Sequence, residues 1–339
     1  MTKQDVVDIL LAKRVPQMRP RGEAFAPSNI ALCKYWGKRD EELNLPTNPS
    51  LSVSLGNLGS HTVVAPLEGH RDVVVLNNRE IAPDSPFALR VSAYLDLVRP
   101  DAHFSFLVET ANTVPTGAGV ASSASGFAAL AKALNALFGW GLSRRELSVL
   151  ARLGSGSACR SFGTGFVEWT MGRRRDGLDS YGRVLREKWP GLRLGLVRIS
   201  QQAKAVGSRA GMKRTVETSA LYEVWPRKAR RDVREMKEAI RTRDFAMLGR
   251  IAENNALAMH GTMLAAWPPL LYFSEGTLAV LRNVWELRAE GIPVFCTLDA
   301  GPNPILLFET GLEKVLREAF PELEVVAPFE THPGTPGKA

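Results

Sequence analysis

The chain has 339 residues, which at about 100–200 residues per domain allows two domains or one large one with a deep core. Hydrophobic residues make up 45% and charged residues 23%, with 29 Gly and 21 Pro, a balance that excludes disordered, collagen-like and low-complexity chains. Lys and Arg number 43 against 35 Asp and Glu, and the resulting formal charge of +8 favours an anionic partner, whether nucleic acid, acidic lipid or phosphorylated metabolite.

No apolar run approaches the roughly 18–20 residues needed to cross a bilayer, and charges interrupt the only apolar stretch near the amino end. Neither a membrane span nor a secretory signal is expected. Cys33, Cys159 and Cys296 lie far apart, so they form neither a disulfide framework nor a CxxC metal pair, and a reducing cytoplasmic setting fits them. The amino extension Met1 to Gly22 reads either as a docking helix or as a disordered arm.

Along the chain, Leu51, Val53 and Leu55 alternate with Ser52 and Ser54, Val73 to Leu76 form a short apolar run, and Phe104, Phe106 and Val108 alternate again. These spacings predict strands. Between Ala124 and Phe138, the residues Phe127, Leu130, Leu134 and Leu137 fall at helical spacing with no proline among them, which predicts a buried helix. A second unit is expected to begin near residue 190, since Leu192, Leu194 and Leu196 alternate as in a half-buried strand. Arg227 to Arg250 reads as a highly charged helical stretch, and Leu278, Leu281, Trp285 and Arg288 continue at helical spacing toward Gly291. Strands over Val294–Leu298 and Ile305–Phe308 flank the turn DAGPNP. The expected division is 1–190, 191–330 and a mobile tail over 331–339.

Four segments carry chemistry. VPTGAGVASSASG, Val114 to Gly126, opens the predicted helix, and its small residues let backbone N–H groups approach an anion at the positive helix end. It reads equally as a plain Gly/Ser turn in which Ser122 or Ser123 caps the helix. It is neither a Walker loop nor a GxGxxG. In NIALCKYWGK, Lys34 and Lys38 bracket Tyr35, Trp36 and Gly37, which suits a multiply charged small anion, or else a lysine-edged strand with core aromatics. In GSGSACRS, Ser155, Ser157 and Arg160 form either an anion clamp or a capped helix start with a surface arginine. In TLDAGPNP, Asp299 ends an apolar strand, where it serves as a base in a dry cleft or simply hydrogen-bonds its own turn.

Taken together and in order, NIALCKYWGKRDEELNLPTNPSLSVSL, PTGAGVASSASGFAAL, SGSACRSFGTGFVEW, GSRAGMKRTVETS and TLDAGPNP resemble the diphosphomevalonate decarboxylase family of the galactokinase/homoserine kinase/mevalonate kinase/phosphomevalonate kinase superfamily, from about Phe25 to Phe308. The KYWGK and SACRS strings belong to the decarboxylase branch, whereas the Gly/Ser loop is shared with the kinases. The resemblance implies an α+β, two-domain small-molecule-kinase-like fold, with a ribosomal-protein-like amino half and a ferredoxin-like carboxyl half around a deep cleft. It also implies a carboxy-lyase that uses ATP and Mg2+ to convert mevalonate 5-diphosphate to isopentenyl diphosphate in isoprenoid biosynthesis, in a cytoplasmic homodimer without nucleic-acid or membrane partners.

By the same resemblance, ATP phosphates lie on Pro115, Gly117, Gly119, Ser122, Ser123 and Ser125, with Ser123 also nearest the magnesium. Asp299 accepts or orients the proton of the tertiary 3-hydroxyl, Arg160 holds the substrate carboxylate, and Lys34 stands near the reacting hydroxyl and phosphoryl groups. Tyr35, Lys38, Ser155, Ser157, Ser208 and Arg209 face the substrate diphosphate. The chain departs from the family pattern in three places. PTGAGVASSASG stands where PTAAGLASSAAG is usual, Gln201 and Gln202 replace common lysines, and Val206-Gly207 stands where a serine is common. The neighbouring readings are a mevalonate 5-phosphate decarboxylase and a mevalonate 3-kinase. A nucleic-acid-binding reading lacks a basic stripe interleaved with aromatics or an RNA-binding motif.

Overall fold

A computed structural model describes residues 1–113, 122–200 and 205–329. The tail at 331–339, most of the Gly/Ser loop, and Gln201 and Gln202 lie outside the described residues. The fold is α+β, and each of its two large sheets carries part of the site.

Of the two expectations for the amino extension, the docked helix is the one found. Helix α1 (Lys3–Leu11) starts at a reciprocal capping box between Thr2 and Asp5 and buries Val6, Val7 and Leu10. The segment that follows stays tied down, with Gln17 and Arg19 donating backbone hydrogen bonds to Phe138 and Leu137.

The first sheet is organised by β1 (Gly22–Cys33) and the long β4 (Ser50–Leu67), with the small hairpin β2 (Lys38–Asp40) and β3 (Leu45–Pro46) between them. Further strands are β5 (Val73–Leu76), β6 (Arg79–Glu80), β7 (Ser105–Asn112), β8 (Phe166–Trp169) and β9 (Gly182–Val184). The order is β6-β5-β7-β4-β8-β9, with β1 also antiparallel to β4. Helices α2 (Pro86–Leu95), α3 (Ser122–Phe138) and α4 (Arg144–Gly154) join this half, and Phe127, Leu130, Leu134 and Leu137 of α3 are buried as their spacing predicts. The alternation along 51–55 does form a strand, but Ser52 and Ser54 are buried with their apolar neighbours. The reason is that β4 is central: Leu51, Val53 and Leu55 face a core shared with the second sheet, while α3 packs on β1 and β4.

The second sheet runs β11-β12-β10-β13, comprising β10 (Leu192–Leu196), β11 (Phe295–Thr297), β12 (Ile305–Glu309) and β13 (Glu324–Val326), all antiparallel. Around it lie α5 (Ser208–Thr218), α6 (Trp225–Thr242), α7 (Phe245–Leu264), α8 (Glu275–Ala289) and α9 (Glu313–Ala319). The single charged stretch expected over 227–250 is thus divided between two helices. Arg243 adopts a left-handed conformation with φ 55°, and Asp244 caps α7 by accepting from the Met247 amide. A left-handed residue ends a helix and a capping aspartate begins one, neither of which the apolar spacing reveals.

Helix α3 packs backbone to backbone against the sheet at Gly22. A β-carbon there would lie 2.0 Å from the Ala133 carbonyl oxygen and 2.5 Å from the Leu137 amide nitrogen, both backbone atoms. Gly22→Ala is therefore expected to destabilise the fold by about 1–3 kcal/mol, because neither backbone can yield as a side chain can. Urea denaturation of the purified variant reads this directly, and an unchanged midpoint would contradict the close packing.

Candidate active site

The site begins where β1 ends. Lys34, Tyr35, Trp36 and Gly37 link β1 to β2, and Gly37 has φ +106°, with a β-carbon position only 1.6 Å from the Tyr222 hydroxyl. Only glycine satisfies both the backbone and the space. The Trp36 carbonyl accepts from Trp225 Nε1 at 2.9 Å and from Tyr222 Oη at 3.3 Å, which clamps this segment to elements of the carboxyl half.

Lys34 is 2% exposed, and its ammonium donates to Asp299 Oδ1 at 2.7 Å and to the Ala31 carbonyl at 2.8 Å. Its backbone is held equally firmly: its amide donates to Asn255 Oδ1 at 2.8 Å and its carbonyl accepts from Asn48 at 2.9 Å. Burial pushes the Lys34 ammonium below its ordinary pKa, and the Asp299 carboxylate opposes that shift. Asp299 lies just past β11, in a turn where the Gly301 amide donates back to its carbonyl at 2.7 Å.

Arg160 closes a 3-10 turn over Gly156–Arg160 that follows α4. Its Nε donates to Asn29 Oδ1 at 3.2 Å, one Nη donates to Ser50 Oγ at 2.7 Å, and its guanidinium lies 5.9 Å from the Trp169 ring centroid. It is a buried residue held in a fixed orientation rather than a surface arginine, and burial lowers its pKa.

These groups line one cavity of 340 Å³, together with Tyr35, Lys38, Ser123, Ser155, Ser157, Ser208 and Arg209. Every catalytic and diphosphate-facing residue expected from the sequence is therefore brought to one place. Among the described lining residues are five basic side chains, Lys34, Lys38, Arg90, Arg160 and Arg209, and a single carboxylate, Asp299. Burial lowers the pKa of Lys38, although its ammonium donates to Glu41 Oε2 at 2.8 Å, and of Arg90 as well, which identifies cations partly stripped of water. The first turn of α5 faces the cavity through Gly207, Ser208 and Arg209, and Gly207 at its N-cap has no side chain to satisfy the helix amides. The Tyr35 hydroxyl is buried without a hydrogen-bond partner among the described residues, so it is placed to meet a ligand.

The expected phosphate loop divides differently. Pro115, Gly117 and Gly119 lie outside the described residues, and Ser122 is described only as the first backbone position of α3. Ser123 lines the cavity. Ser125 instead turns inward: it is 0% exposed, with its hydroxyl 3.0 Å from Ser28 Oγ and 2.8 Å from Ser60 Oγ. Ser123 and Ser125 are two positions apart and so point to opposite sides of the helix, and Ser125 occupies the side of α3 that meets the sheet.

Sequence reading missed Arg90, Asn29 and Asn255. Asn29 stands at the head of the NIALCKYWGK string, so a signal for it existed. Arg90 sits on α2 outside any motif, its Nε buried without a partner among the described residues and its guanidinium 4.9 Å from the Phe127 ring centroid. Arg90 and Ser123 also line a second, largely apolar pocket of 110 Å³ whose walls include Val74, Leu76, Val91, Val108 and Leu130. Among the described residues no group of three or more His, Cys, Asp or Glu side chains is placed to hold a metal ion.

Removing the carboxylate should expose the demands of this arrangement. Asp299→Ala leaves the Lys34 ammonium buried without its counter-ion, a loss on the order of 2 kcal/mol at neutral pH, discounted because the Asp299 side chain keeps 32% exposure. The variant's Lys34 pKa falls further below its unfolded value, so over the interval between the two the unfolded chain binds more protons and stability rises with pH. The gap to the native protein should therefore be wider near about pH 7 than near about pH 10 in urea titrations, and a gap that widens with pH would contradict the pairing.

Known proteins match this arrangement along almost its whole length. Residues 26–182 match the diphosphomevalonate decarboxylase-like N-terminal domain, and residues 196–331 match the mevalonate 5-diphosphate decarboxylase C-terminal domain. The diphosphomevalonate decarboxylase of Candida albicans is 36% identical over 91% of this chain and 90% of its own length. Mevalonate diphosphate decarboxylase from Staphylococcus aureus superposes with a TM-score of 0.85 at 38% identity, covering 91% of this chain and 95% of that one. A chain solved as MDDEF in complex with MVAPP, AMPPCP and magnesium superposes with a TM-score of 0.84 at 42% identity, over 91% and 97%. Since family-specific domains cover both halves and relatives well above 30% identity extend across both, the chain belongs to the diphosphomevalonate decarboxylase family.

Proposed function

We propose that this protein catalyses the ATP-dependent decarboxylation of mevalonate 5-diphosphate to isopentenyl diphosphate, with ADP, phosphate and CO2 as the other products. The observation that carries the reading is the Lys34–Asp299 pair, set beside the immobilised Arg160 in a cleft whose described walls hold five cations and one carboxylate.

In the first stage the tertiary 3-hydroxyl oxygen bonds to the γ-phosphorus of ATP, the bond to the β,γ-bridging oxygen breaks, and ADP leaves with that electron pair. The hydroxyl proton passes to the Asp299 carboxylate. A tertiary alcohol is crowded and weakly nucleophilic, so orientation contributes most of the acceleration, and Lys34 fixes the carboxylate while presenting positive charge to the transferring group. In the second stage the C3–O bond breaks and phosphate leaves with its electron pair. The electrons of the C1–C2 bond then form the C2–C3 double bond, and CO2 departs. Arg160, locked by Asn29 and Ser50, holds the carboxylate so that this bond stays aligned with the departing oxygen.

Lys38, Ser155, Ser157, Ser208, Arg209 and the Tyr35 hydroxyl would take the diphosphate, with the first turn of α5 adding backbone donors. The apolar pocket that shares Ser123 and Arg90 with the cleft is suited to the nucleoside end of ATP. Magnesium, when bound, would neutralise phosphate charge; Ser123 is the described hydroxyl that would contact it, and the lining of the cleft, with Asp299 as its one carboxylate among the described residues, fits an ion held chiefly by phosphate oxygens and water. The same reading includes a division into two domains near residue 190, a cytoplasmic setting and a homodimer. The exposed Trp267 and Leu271 offer apolar area for such pairing, and no helix among the described residues is long and apolar enough to cross a membrane.

Purified protein with Mg-ATP should release ADP and CO2 in equal amounts from mevalonate 5-diphosphate and not from mevalonate 5-phosphate. CO2 from the monophosphate would move the substrate, and ADP without CO2 would make the protein a kinase. Asp299→Asn should lower kcat by about 10²–10⁴-fold while calorimetry still detects binding of a non-hydrolysable ATP analogue, and near-normal turnover would remove the proton-accepting role.

A further inference from the structure

The turn that carries Asp299 has little to hold it from its own strand, since β11 ends at Thr297 and the Gly/Pro sequence 300–304 forms no ladder. Neighbouring elements hold it instead: Thr277 of α8 donates to the Pro302 carbonyl at 2.7 Å, Asn303 accepts from the Ile199 and Ser200 amides, and at Asp299 itself the carbonyl that accepts from the Gly301 amide is also reached from α7. His260, 2% exposed, places Nε2 3.1 Å from the Asp299 carbonyl oxygen, and because a carbonyl only accepts, the imidazole donates from that nitrogen. The ring is kept in this orientation by Phe273, whose centroid lies 4.4 Å away at an interplanar angle of 32°. The same helix holds the other half of the ion pair, through Asn255 and the Lys34 amide. Asn255 is itself oriented by Asp232 of α6, which accepts from its Nδ2 at 2.7 Å.

We propose that His260 is a positioning residue for the decarboxylation reaction: it acts through the Asp299 carbonyl to set the carboxylate against Lys34 and the reacting hydroxyl, with α7 as the rigid bar joining both partners. His260 is not among the residues lining the cleft, so its effect is transmitted by the peptide and not by contact with substrate. This rests on the function proposed above, since it assigns a role in that turnover. A positioning group of this kind alters the rate of the chemical step more than substrate affinity, because the diphosphate and carboxylate are gripped by other residues.

Three variants separate the N–H from the volume. In His260→Phe the aromatic packing on Phe273 is kept and the donor is lost; in His260→Asn the amide reaches only where Nδ1 stood; in His260→Gln the amide reaches the Nε2 position. Phe and Asn should each lower kcat about 10-fold with KM for mevalonate 5-diphosphate changed less than about twofold, and Gln should recover most of the rate. Thermal unfolding of each variant accompanies the kinetics, and the Gln against Asn comparison is the deciding one because both are polar and neither is aromatic. The inference is overturned if Phe and Asn turn over at the native rate, if Gln is as slow as Asn, or if the loss appears in KM with kcat intact. Failure of the native protein itself to release ADP and CO2 would strike the functional reading first, and is told apart because it appears in the control.

Discussion

A lysine buried at the end of one sheet meets an aspartate on a turn of the other, and much of the molecule is arranged to keep that pair together. An ammonium at 2% exposure is tolerated only with a close counter-charge and satisfied donors, and Lys34 has both in Asp299 and the Ala31 carbonyl. The partners come from positions 265 residues apart, so the pair forms only when both halves are folded and docked. The core shared by Leu51, Val53 and Leu55 of β4 with Leu192, Leu194 and Leu196 of β10 supplies that docking without directional demands. Hydrogen bonds to Asn255 Oδ1 and from Asn48 and His260 then fix the angle at which the charges meet.

The opposite wall depends on close packing of small polar residues. The hydroxyls of Ser28, Ser60 and Ser125 meet between α3 and the β1–β4 pair, so the helix can sit near the strands while every buried oxygen finds a partner. Larger side chains there would lift α3 and with it Ser123. The serines that looked in the sequence like a string of phosphate contacts thus have separate duties: Ser123 lines the cleft, and Ser125 sets the height of the helix.

Strand and helix positions were legible wherever one periodicity ran undisturbed, as in α3, β10 and β12. The division of 227–250 was not, because it depends on the left-handed Arg243 and the cap at Asp244, single-residue features that leave the charge pattern unbroken. The docking of α1 is not legible for a related reason. Its apolar residues Val6, Val7 and Leu10 form a stripe too short to select helix over disorder until a surface receives them. At the site, the residues in motif strings were readable as a group, whereas Arg90, Asn255 and His260 were not. They lie on helices whose only visible signal is amphipathicity, and their roles arise from which neighbours the tertiary fold supplies.

The charge of the cleft follows from what a site for two polyanions must do. A diphosphate and a triphosphate placed within reach of one another repel strongly, and in a cavity of low dielectric that repulsion is far larger than in water. Five basic side chains around one carboxylate offset it, and for four of them, Lys34, Lys38, Arg90 and Arg160, burial lowers the proton affinity, which records the strain of holding them desolvated beforehand. That strain is preorganisation: the cations do not have to shed water or reorient as phosphoryl charge moves from ATP to the substrate. The single carboxylate is then the informative residue. In a pocket built to attract anions it adds repulsion that its pairing with Lys34 at 2.7 Å offsets, and the proposed reaction gives the same carboxylate a second use, as the acceptor for one proton at one place.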